Sequence, residues 1–300
     1  MAPTFGSVGS GGSSRECVVI LVFGKTGQVA KELQRFDDVL ALGREEVNLL
    51  NPQACVDAIL TYSPRAVINA AAYTAVDQAE DEELLATIVN AEAPTLMAKA
   101  CASLFIPLVQ LSTDYVYEGT GVRPWRPNDP VNPQSAYGRS KLAGEFGVRE
   151  SNIVHAILRT SWVFSPHGSN FLKTMLYLSE TRDFLTVVDD QIGGPTPAAD
   201  IAAACLEITE QLIQDPSKSG TYHFSGHPDV SWATFASNIF EQARKSVIVS
   251  SISTKDYPTK ACRPLNSRLD CYITEKVFGI PRPDWRVELT SVLRDLKVLS

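Results

Sequence analysis

The sequence predicts an α/β protein built on a doubly wound parallel sheet, with a smaller carboxyl-terminal α+β lobe. From Cys17 onward, short apolar runs rich in β-branched residues alternate with longer helical stretches, which is typical of a parallel sheet covered on both faces. A turn that contains Gly24 and Gly27 joins the first run to the first helix. After Trp162 the alternation weakens, and glycines and prolines at 193–197 break the chain, which predicts the second lobe.

The individual elements follow from hydrophobic periodicity. Residues 18–23 form a continuous apolar run and predict a buried first strand, whereas residues 28–36 place apolar side chains on one helical face. Further strands are predicted at 39–42, 66–69, 107–112, 154–159 and 221–224, and helices around 54–60, 84–103, from 137, at 200–214 and at 232–245. The four prolines within 123–133 predict a long surface loop, because each removes a backbone donor and restricts the residue before it.

Composition restricts the class of protein. The 300 residues carry a formal net charge of −7, so that no basic surface offsets the phosphate charges of a nucleic acid. No apolar run reaches the ~18 residues that a membrane span needs. The six cysteines are scattered, without the paired spacing of a metal site, which favours free thiols in a reducing compartment. We therefore expect a cytoplasmic protein with no nucleic-acid partner, no membrane partner and no bound metal.

The turn after the first strand has the composition of a phosphate-binding loop. Gly24 and Gly27 allow backbone N–H groups to approach a pyrophosphate at the positive end of the following helix. Ala30 stands where many dinucleotide sites have a third glycine, and it is small enough for close packing of helix on strand. A tight turn without a ligand has the same pattern, so that the loop by itself leaves both interpretations open.

Two further segments lie where a dinucleotide fold places cofactor contacts. Arg44 follows the second predicted strand, about 20 residues past the glycines, where such folds read the 2′ position of the adenosine. A guanidinium suits a 2′-phosphate and favours NADPH, whereas the neighbouring Glu45 and Glu46 leave NADH as the alternative. The small residues at 69–72 end the third strand, which allows a ligand to lie against the backbone there.

The strongest chemical signal is the spacing of Tyr137 and Lys141. Residues four apart share one face of a helix, so that both side chains can point into one cleft. A neighbouring ammonium is expected to lower the pKa of the tyrosine from its ordinary ~10, which would let the phenol exchange a proton near neutral pH. Thr113, at the end of an apolar strand, can offer its hydroxyl to the same substrate oxygen. A solvated surface pair has the same spacing, but the glycine turn and Thr113 favour a catalytic site.

These motifs resemble those of the extended short-chain dehydrogenase/reductases, and among them the dTDP-4-dehydrorhamnose reductase family. The resemblance rests on residues 24–30, 69–74, 112–117, 137–141, 159–162, 190–191, 194–196 and 263–269. It implies an NAD(P)-binding Rossmann domain at 15–164 and a substrate-binding lobe over most of 165–300, with segments at about 184–226 returning to the Rossmann domain. Residues 1–14, rich in glycine and serine, are expected to form a flexible leader.

The resemblance implies that Thr113, Tyr137 and Lys141 form the catalytic set. Tyr137 would donate a proton to the alkoxide that develops when hydride passes from the nicotinamide to C4 of a keto sugar. Lys141 would hold the nicotinamide ribose, and Thr113 would orient the carbonyl. The expected cofactor contacts are Gly24, Gly27, Gln28, Val29, Arg44, Asn48, Leu49, Ala71, Ala72, Tyr73, Tyr137 and Lys141.

The expected substrate contacts include an aromatic ring and two cations. Trp162 would lie against the sugar nucleotide, although a core tryptophan gives the same sequence signal. Arg263 and Arg268 would hold the substrate diphosphate, with surface salt bridges as the competing interpretation. The full set of expected substrate contacts is Thr74, Thr113, Asp114, Trp162, Arg263 and Arg268.

The activity implied by the resemblance is reduction of the C4 keto group of dTDP-4-dehydro-L-rhamnose, with NADPH favoured over NADH, by a monomer or homodimer. Two other functions stay open: a non-catalytic subunit similar to the regulatory β subunit of methionine adenosyltransferase, and a sugar-nucleotide epimerase or dehydratase that recycles its cofactor. A tryptophan at the strand end within 159–162 suits a substrate site and favours the reductase over the first. Dehydratases tend to have an acidic pair after the strand threonine, whereas Asp114 is followed here by Tyr115.

Overall fold

The computed structural model describes residues 19–299, so that the expected leader at 1–14 lies outside the described residues. The strands within the described part are, in chain order, β1 (Ile20–Phe23), β2 (Val39–Leu42), β3 (Ala66–Asn69), β4 (Leu108–Thr113), β5 (His155–Thr160), β6 (Val163–Phe164), β7 (Phe184–Val188), β8 (Ile192–Gly193), β9 (Thr196–Pro197), β10 (Gly220–His223), β11 (Val230–Ser231), β12 (Ile248–Ile252) and β13 (Asn266–Ser267). The α-helices are α1 (Gln28–Leu33), α2 (Pro52–Tyr62), α3 (Glu83–Thr87), α4 (Ala93–Leu104), α5 (Ala136–Glu150), α6 (Phe171–Leu178), α7 (Ala198–Gln214), α8 (Trp232–Gln242), α9 (Tyr272–Phe278) and α10 (Trp285–Asp295).

A six-stranded parallel sheet organises the larger part of the molecule. Its strands lie in the order β10, β5, β4, β3, β1, β2. The chain winds outward in one direction from β1 to β2 and then in the other direction from β3 to β5, so that the winding reverses beside β1. Ligands bind in the crevice that such a reversal leaves at the carboxyl ends of the strands. This sheet and its flanking helices confirm the predicted fold class.

Alternate side chains of the strands pack into two different cores. Ile20 and Val22 contact α1 and α7 on one face of the sheet. Leu21 and Phe23 contact α2 and α4 on the other face. Because both faces are covered, the strands read in the sequence as continuous apolar runs rather than as an alternation of apolar and polar residues.

Part of the carboxyl-terminal third returns to the main sheet. Helix α7 packs against α1, and β10 extends the sheet by pairing with β5. The rest of the lobe has its own core, in which α6, α8 and α10 surround the parallel pair β7 and β12. The expected return of about 184–226 begins later, because β7 pairs with β12 in the second lobe. We propose on this basis that 19–164 together with 198–223 form a dinucleotide-binding domain, and that most of the remaining chain forms the substrate lobe.

Some predicted helices differ from the observed ones, and α8 ends at Gln242 rather than at Lys245. Helix α1 ends at Leu33 rather than at Phe36, because the N–H groups of Arg35 and Phe36 bond to carbonyls three residues back and form a tight turn. The helix expected at 84–103 is interrupted by a π-helical turn at Ile88–Glu92. Within that turn Asn90 accepts from the Tyr73 N–H at 2.8 Å and donates to the Ser140 hydroxyl at 3.0 Å. The π-helical turn therefore places Asn90 in a tertiary contact, which hydrophobic periodicity along the chain cannot predict.

No helix within residues 19–299 combines the length and the apolar character that a membrane crossing requires. The cysteines in this part of the chain are free thiols, as expected, and all except Cys262 are buried.

Candidate active site

A cleft of about 1650 Å³ runs along the carboxyl edge of the main sheet and continues beneath the second lobe. Nearly all of the residues expected to contact cofactor or substrate line this one cleft. They are Gly24, Gly27, Gln28, Val29, Arg44, Asn48, Leu49, Ala71, Ala72, Tyr73, Thr74, Thr113, Asp114, Tyr137, Lys141, Trp162 and Arg263. The structure therefore brings together segments that lie far apart in the sequence.

The turn after β1 requires glycine at its first position. Gly24 has a φ of 107°, and a Cβ there would lie 3.2 Å from the Ala71 nitrogen. The backbone of the turn thus passes close to the small residues after β3. Helix α1 then begins at Gln28 without a side-chain cap on its first N–H groups. A concave backbone surface with uncapped N–H groups is suited to a pyrophosphate.

The side chain of Gln28 connects this turn to the second lobe. Its amide oxygen accepts hydrogen bonds from Ser165 at 2.8 Å and from Asn170 at 2.9 Å, and its amide nitrogen donates to the Val163 carbonyl. The side chain is therefore engaged within the protein. A contact of Gln28 with a cofactor would use its backbone N–H.

One acidic neighbour of Arg44, Glu46, is already paired with another cation. Glu46 forms an ion pair with Lys25, and its carboxylate also accepts from the Gly43 N–H at 2.9 Å. Arg44 lines the cleft, and no carboxylate within residues 19–299 pairs with it. The lysine thus offsets the charge of Glu46, which leaves the Arg44 guanidinium available to an anion at this edge of the cleft.

Helix α5 positions the tyrosine and the lysine. Its first turn is capped by the Ser135 hydroxyl, which accepts from the Gly138 N–H at 3.1 Å. A Cβ at Gly138 would lie only 2.3 Å from the Tyr115 carbonyl oxygen, so that only glycine allows α5 to approach the segment after β4 this closely. That approach brings Tyr137 beside Thr113.

The pKa of Tyr137 shifts in the direction opposite to the one predicted. Burial raises the pKa of this phenol above its ordinary value, and the interaction with the Thr113 hydroxyl opposes the rise. Lys141 does not offset the burial, since its ammonium donates to the Leu111 carbonyl at 2.7 Å. Burial also lowers the pKa of Lys141 to about 8, against the effect of Glu145. At neutral pH the tyrosine is therefore a protonated phenol and the lysine is largely an ammonium.

Asp114 presents an unused acceptor to the cleft. Its Oδ1 accepts from the Thr113 hydroxyl at 3.1 Å, while its buried Oδ2 has no hydrogen-bond partner within the described residues. Burial raises the pKa of this carboxyl to about 6, against the effects of the nearby Ser267 and Thr113 side chains. Because an unpaired buried carboxylate oxygen is unfavourable, a hydroxyl donor of a bound ligand would stabilise it.

Trp162 is held at the boundary between the two lobes. It follows β5 with a φ of 51°, and its ring stacks on Trp232 of α8 with the centroids 3.5 Å apart. The edge of the ring lies against Gly193, where a Cβ would approach to 2.9 Å. Trp162 is only partly buried and lines the cleft, so that it is not a core tryptophan.

The two predicted arginines occupy different environments. Arg263 lines the cleft, but it is already paired with Asp77 and donates to the Tyr115 hydroxyl at 3.2 Å. Arg268 does not line the cleft, and its guanidinium donates to the Asn266 side chain at 3.0 Å. The structure thus does not bring Arg268 to the site. Arg182, which the sequence reasoning missed, lines the second-lobe part of the cleft without an ion-pair partner among residues 19–299.

Known proteins share this fold and these motifs. The profile of the RmlD substrate binding domain family matches residues 18–298. A dTDP-4-dehydrorhamnose reductase of Sinorhizobium fredii is 43% identical over 276 residues, which cover 89% of this chain and 93% of that protein. The chain belongs to the dTDP-4-dehydrorhamnose reductase family.

Solved structures of this family superpose closely on the chain. A dTDP-4-dehydrorhamnose reductase ortholog from Clostridium acetobutylicum is 36% identical, with a TM-score of 0.86 and coverage of 93% of this chain and 99% of that chain. A dTDP-4-dehydrorhamnose reductase from Bacillus anthracis, solved in complex with NADP, is 33% identical, with a TM-score of 0.85 and coverage of 92% and 98%. The family expected from the motifs is thereby confirmed.

Sequence reasoning missed several residues of the site that act through tertiary contacts. Asn90 ties the segment after β3 to α5, and Trp232 supports the ring of Trp162. Trp232 begins a helix that periodicity predicts, but nothing in the local pattern indicates that its ring meets Trp162. For Asn90, the polar side chain within a mostly apolar helical stretch was the available signal.

Proposed function

We propose that this protein reduces the C4 keto group of dTDP-4-dehydro-L-rhamnose to dTDP-L-rhamnose with NADPH as the reductant. The observation that carries the proposal is the meeting of Thr113, Tyr137 and Lys141 in the same cleft as the glycine turn. The names of the related enzymes support the substrate, and the NADP bound by the Bacillus anthracis relative supports the cofactor.

The residues around the glycine turn fit a dinucleotide phosphate. The close approach at Gly24, the uncapped start of α1 and the small side chains of Ala71 and Ala72 leave room for a pyrophosphate against the backbone. Arg44 would hold the 2′-phosphate, and Lys141 would hold the nicotinamide ribose. When it is bound, NADPH supplies the hydride for the reduction.

Tyr137 serves as the acid of the reaction. Its raised pKa keeps the phenol protonated at neutral pH, so that it can donate its proton to the C4 oxygen as negative charge develops there. The Thr113 hydroxyl would orient the same oxygen. The free Oδ2 of Asp114 would accept a hydroxyl of the sugar, and Trp162 would cover its ring.

We predict that Arg44→Ala weakens binding of NADPH about 10-fold or more, because a charge-assisted hydrogen bond to the 2′-phosphate is lost. The Kd of NADH should change by less than about twofold, since NADH has no phosphate there. Titration of protein fluorescence with each cofactor measures both constants. Equal weakening of the two cofactors would show that Arg44 does not read the 2′ position.

The activity itself is tested by supplying dTDP-4-dehydro-L-rhamnose and following the absorbance of the reduced nicotinamide. We expect one NADPH to be oxidised for each dTDP-L-rhamnose formed. A protein that binds NADPH without oxidising it would be a non-catalytic relative. Conversion of a nucleotide sugar without net consumption of cofactor would indicate an epimerase or a dehydratase. Either result would overturn the proposal.

A further inference from the structure

A buried ion pair lies behind the catalytic residues and joins α5 to the main sheet. Glu145 of α5 and Arg159 of β5 are 0% and 1% exposed. Two hydrogen bonds connect them, from Nε to Oε1 at 2.8 Å and from Nη2 to Oε2 at 2.5 Å. A forked contact of this kind has one favourable geometry, and burial keeps water from replacing either partner. The pair therefore holds the helix in one position relative to the strand.

The same carboxylate also reaches the neighbouring strand. Ser112 lies opposite Arg159 in the register of β4 and β5, and its hydroxyl donates to the Glu145 carboxylate at 2.6 Å. The next residue along β4 is Thr113, whose hydroxyl faces the cleft beside Tyr137. Glu145 is thus hydrogen-bonded to both β4 and β5, and its partner on β4 is the residue next to Thr113.

Lys141 lies one helical turn before Glu145 and is held by the same part of β4. Its ammonium donates to the carbonyl of Leu111, while the adjacent Ser112 binds Glu145. Two consecutive residues of the strand therefore hold two consecutive turns of α5. Any shift of the helix along the strand would break both contacts and would move Tyr137.

Glu145 also acts on Lys141 through its charge. Lys141 shares the cleft with Tyr137 and Asp114, and Glu145, which pairs with Arg159, lies one helical turn away. Burial lowers the pKa of Lys141, and Glu145 is the group that opposes this effect. Without that carboxylate, the buried Arg159 would lose its ion-pair partner, and Lys141 would lose the charge that opposes the effect of its burial.

The network continues into the proline-rich loop. Arg159 donates to the Tyr117 hydroxyl at 2.6 Å and to the Pro127 carbonyl at 3.1 Å. The Tyr117 hydroxyl in turn contacts the ring of His223 on β10 at 2.8 Å. The ion pair is thus anchored on three sides, and through Glu145 this anchoring restrains the motion of α5.

We propose that Glu145 is a positioning residue for the reduction, which holds Lys141 and Tyr137 at a set distance from Thr113 and places a buried negative charge one helical turn from Lys141. This inference rests on the proposed function for its effect on turnover. Its effect on Lys141 can be measured without turnover, because a lysine that holds the cofactor ribose makes NADPH binding depend on pH.

The test compares two substitutions of the same residue. Glu145→Gln keeps the shape and removes the charge, so that the pKa of Lys141 should fall and the alkaline loss of NADPH affinity should move to lower pH by roughly one unit. The alkaline limb of kcat should move in the same direction, with kcat at neutral pH about tenfold lower and KM for the nucleotide sugar little changed. Glu145→Asp keeps the charge but withdraws the carboxylate, so that kcat should fall about tenfold while the alkaline limbs stay in place.

Arg149→Gln provides the matched control. Arg149 donates to the same carboxylate at 2.6 Å but is partly exposed, so that its loss removes a cation and leaves the buried pair intact. In this variant the alkaline losses of NADPH affinity and of kcat should occur at the wild-type pH or at higher pH. Thermal midpoints of all three variants report whether each one folds.

The possible results separate the inference from the proposed function. A Glu145→Gln protein with wild-type alkaline limbs, or a folded Glu145→Asp protein with wild-type kcat, would overturn the inference. If Glu145→Gln does not fold, the Glu145→Asp result decides. If the wild type binds NADPH but reduces no substrate, the proposed function fails, and the pH dependence of NADPH binding in wild type and Glu145→Gln still decides whether Glu145 acts on Lys141.

Discussion

Tyr137→Phe is expected to lower kcat by a factor of about 10³, because the substitution removes the proton donor and leaves the packing of the ring in place. Without the phenol, the alkoxide that develops at C4 would have to take its proton from water. The Thr113 hydroxyl can still orient the oxygen, so that KM for the nucleotide sugar should change little. The pH dependence of the residual rate should also lose any contribution from the phenol.

The measurement is a steady-state assay of NADPH oxidation with wild type and variant, together with the Kd of NADPH for each. Tyr115→Phe is a suitable control, because Tyr115 lines the same cleft, packs edge-on against Tyr137 and loses only a hydrogen bond from Arg263. Its kcat should fall by less than about tenfold. A Tyr137→Phe enzyme that kept the wild-type kcat would show that the proton comes from another group.

Gly144→Ala is expected to destabilise the fold by about 3 kcal/mol, which is large for the addition of one methyl group. A Cβ at this position would lie 2.0 Å from the carbonyl oxygen of Asn90 and 3.3 Å from the Cα of Ala91. All of the atoms in the way belong to the backbone of the π-helical turn, so that no side chain can rotate to make room. Either α5 or the turn would have to move, and both support the site.

The change can be measured as the shift of the denaturation midpoint relative to wild type. Gly220→Ala is the matched control, because a Cβ there would meet only the side chain of Tyr222 at ordinary contact distances of 3.4 Å or more. That variant should stay within about 0.5 kcal/mol of wild type. A Gly144→Ala protein that unfolds at the wild-type midpoint would show that the contact between α5 and the turn relaxes at little cost.

Features that depend on contiguous residues could be determined from the sequence by itself. The fold class follows from buried strands and amphipathic helices, whose periods are local properties of the chain. The proposed catalytic set could be predicted because Tyr137 and Lys141 are one helical turn apart, and because Thr113 ends a strand whose carboxyl edge must face the cleft. The glycine turn could be predicted because it requires a backbone conformation at Gly24 that residues other than glycine rarely adopt.

Features that depend on burial and on distant contacts were decided only by the tertiary structure. The pKa of Tyr137 rises because desolvation exceeds the effect of its neighbours, and the depth of a cleft cannot be read from residue spacing. Arg263 and Arg268 look equivalent in the sequence, but only Arg263 lines the cleft, which also receives Arg182 from the other lobe. The partners of Trp162 and Glu145 come from other segments of the chain, and which side chains meet is determined by how whole elements pack rather than by any local pattern.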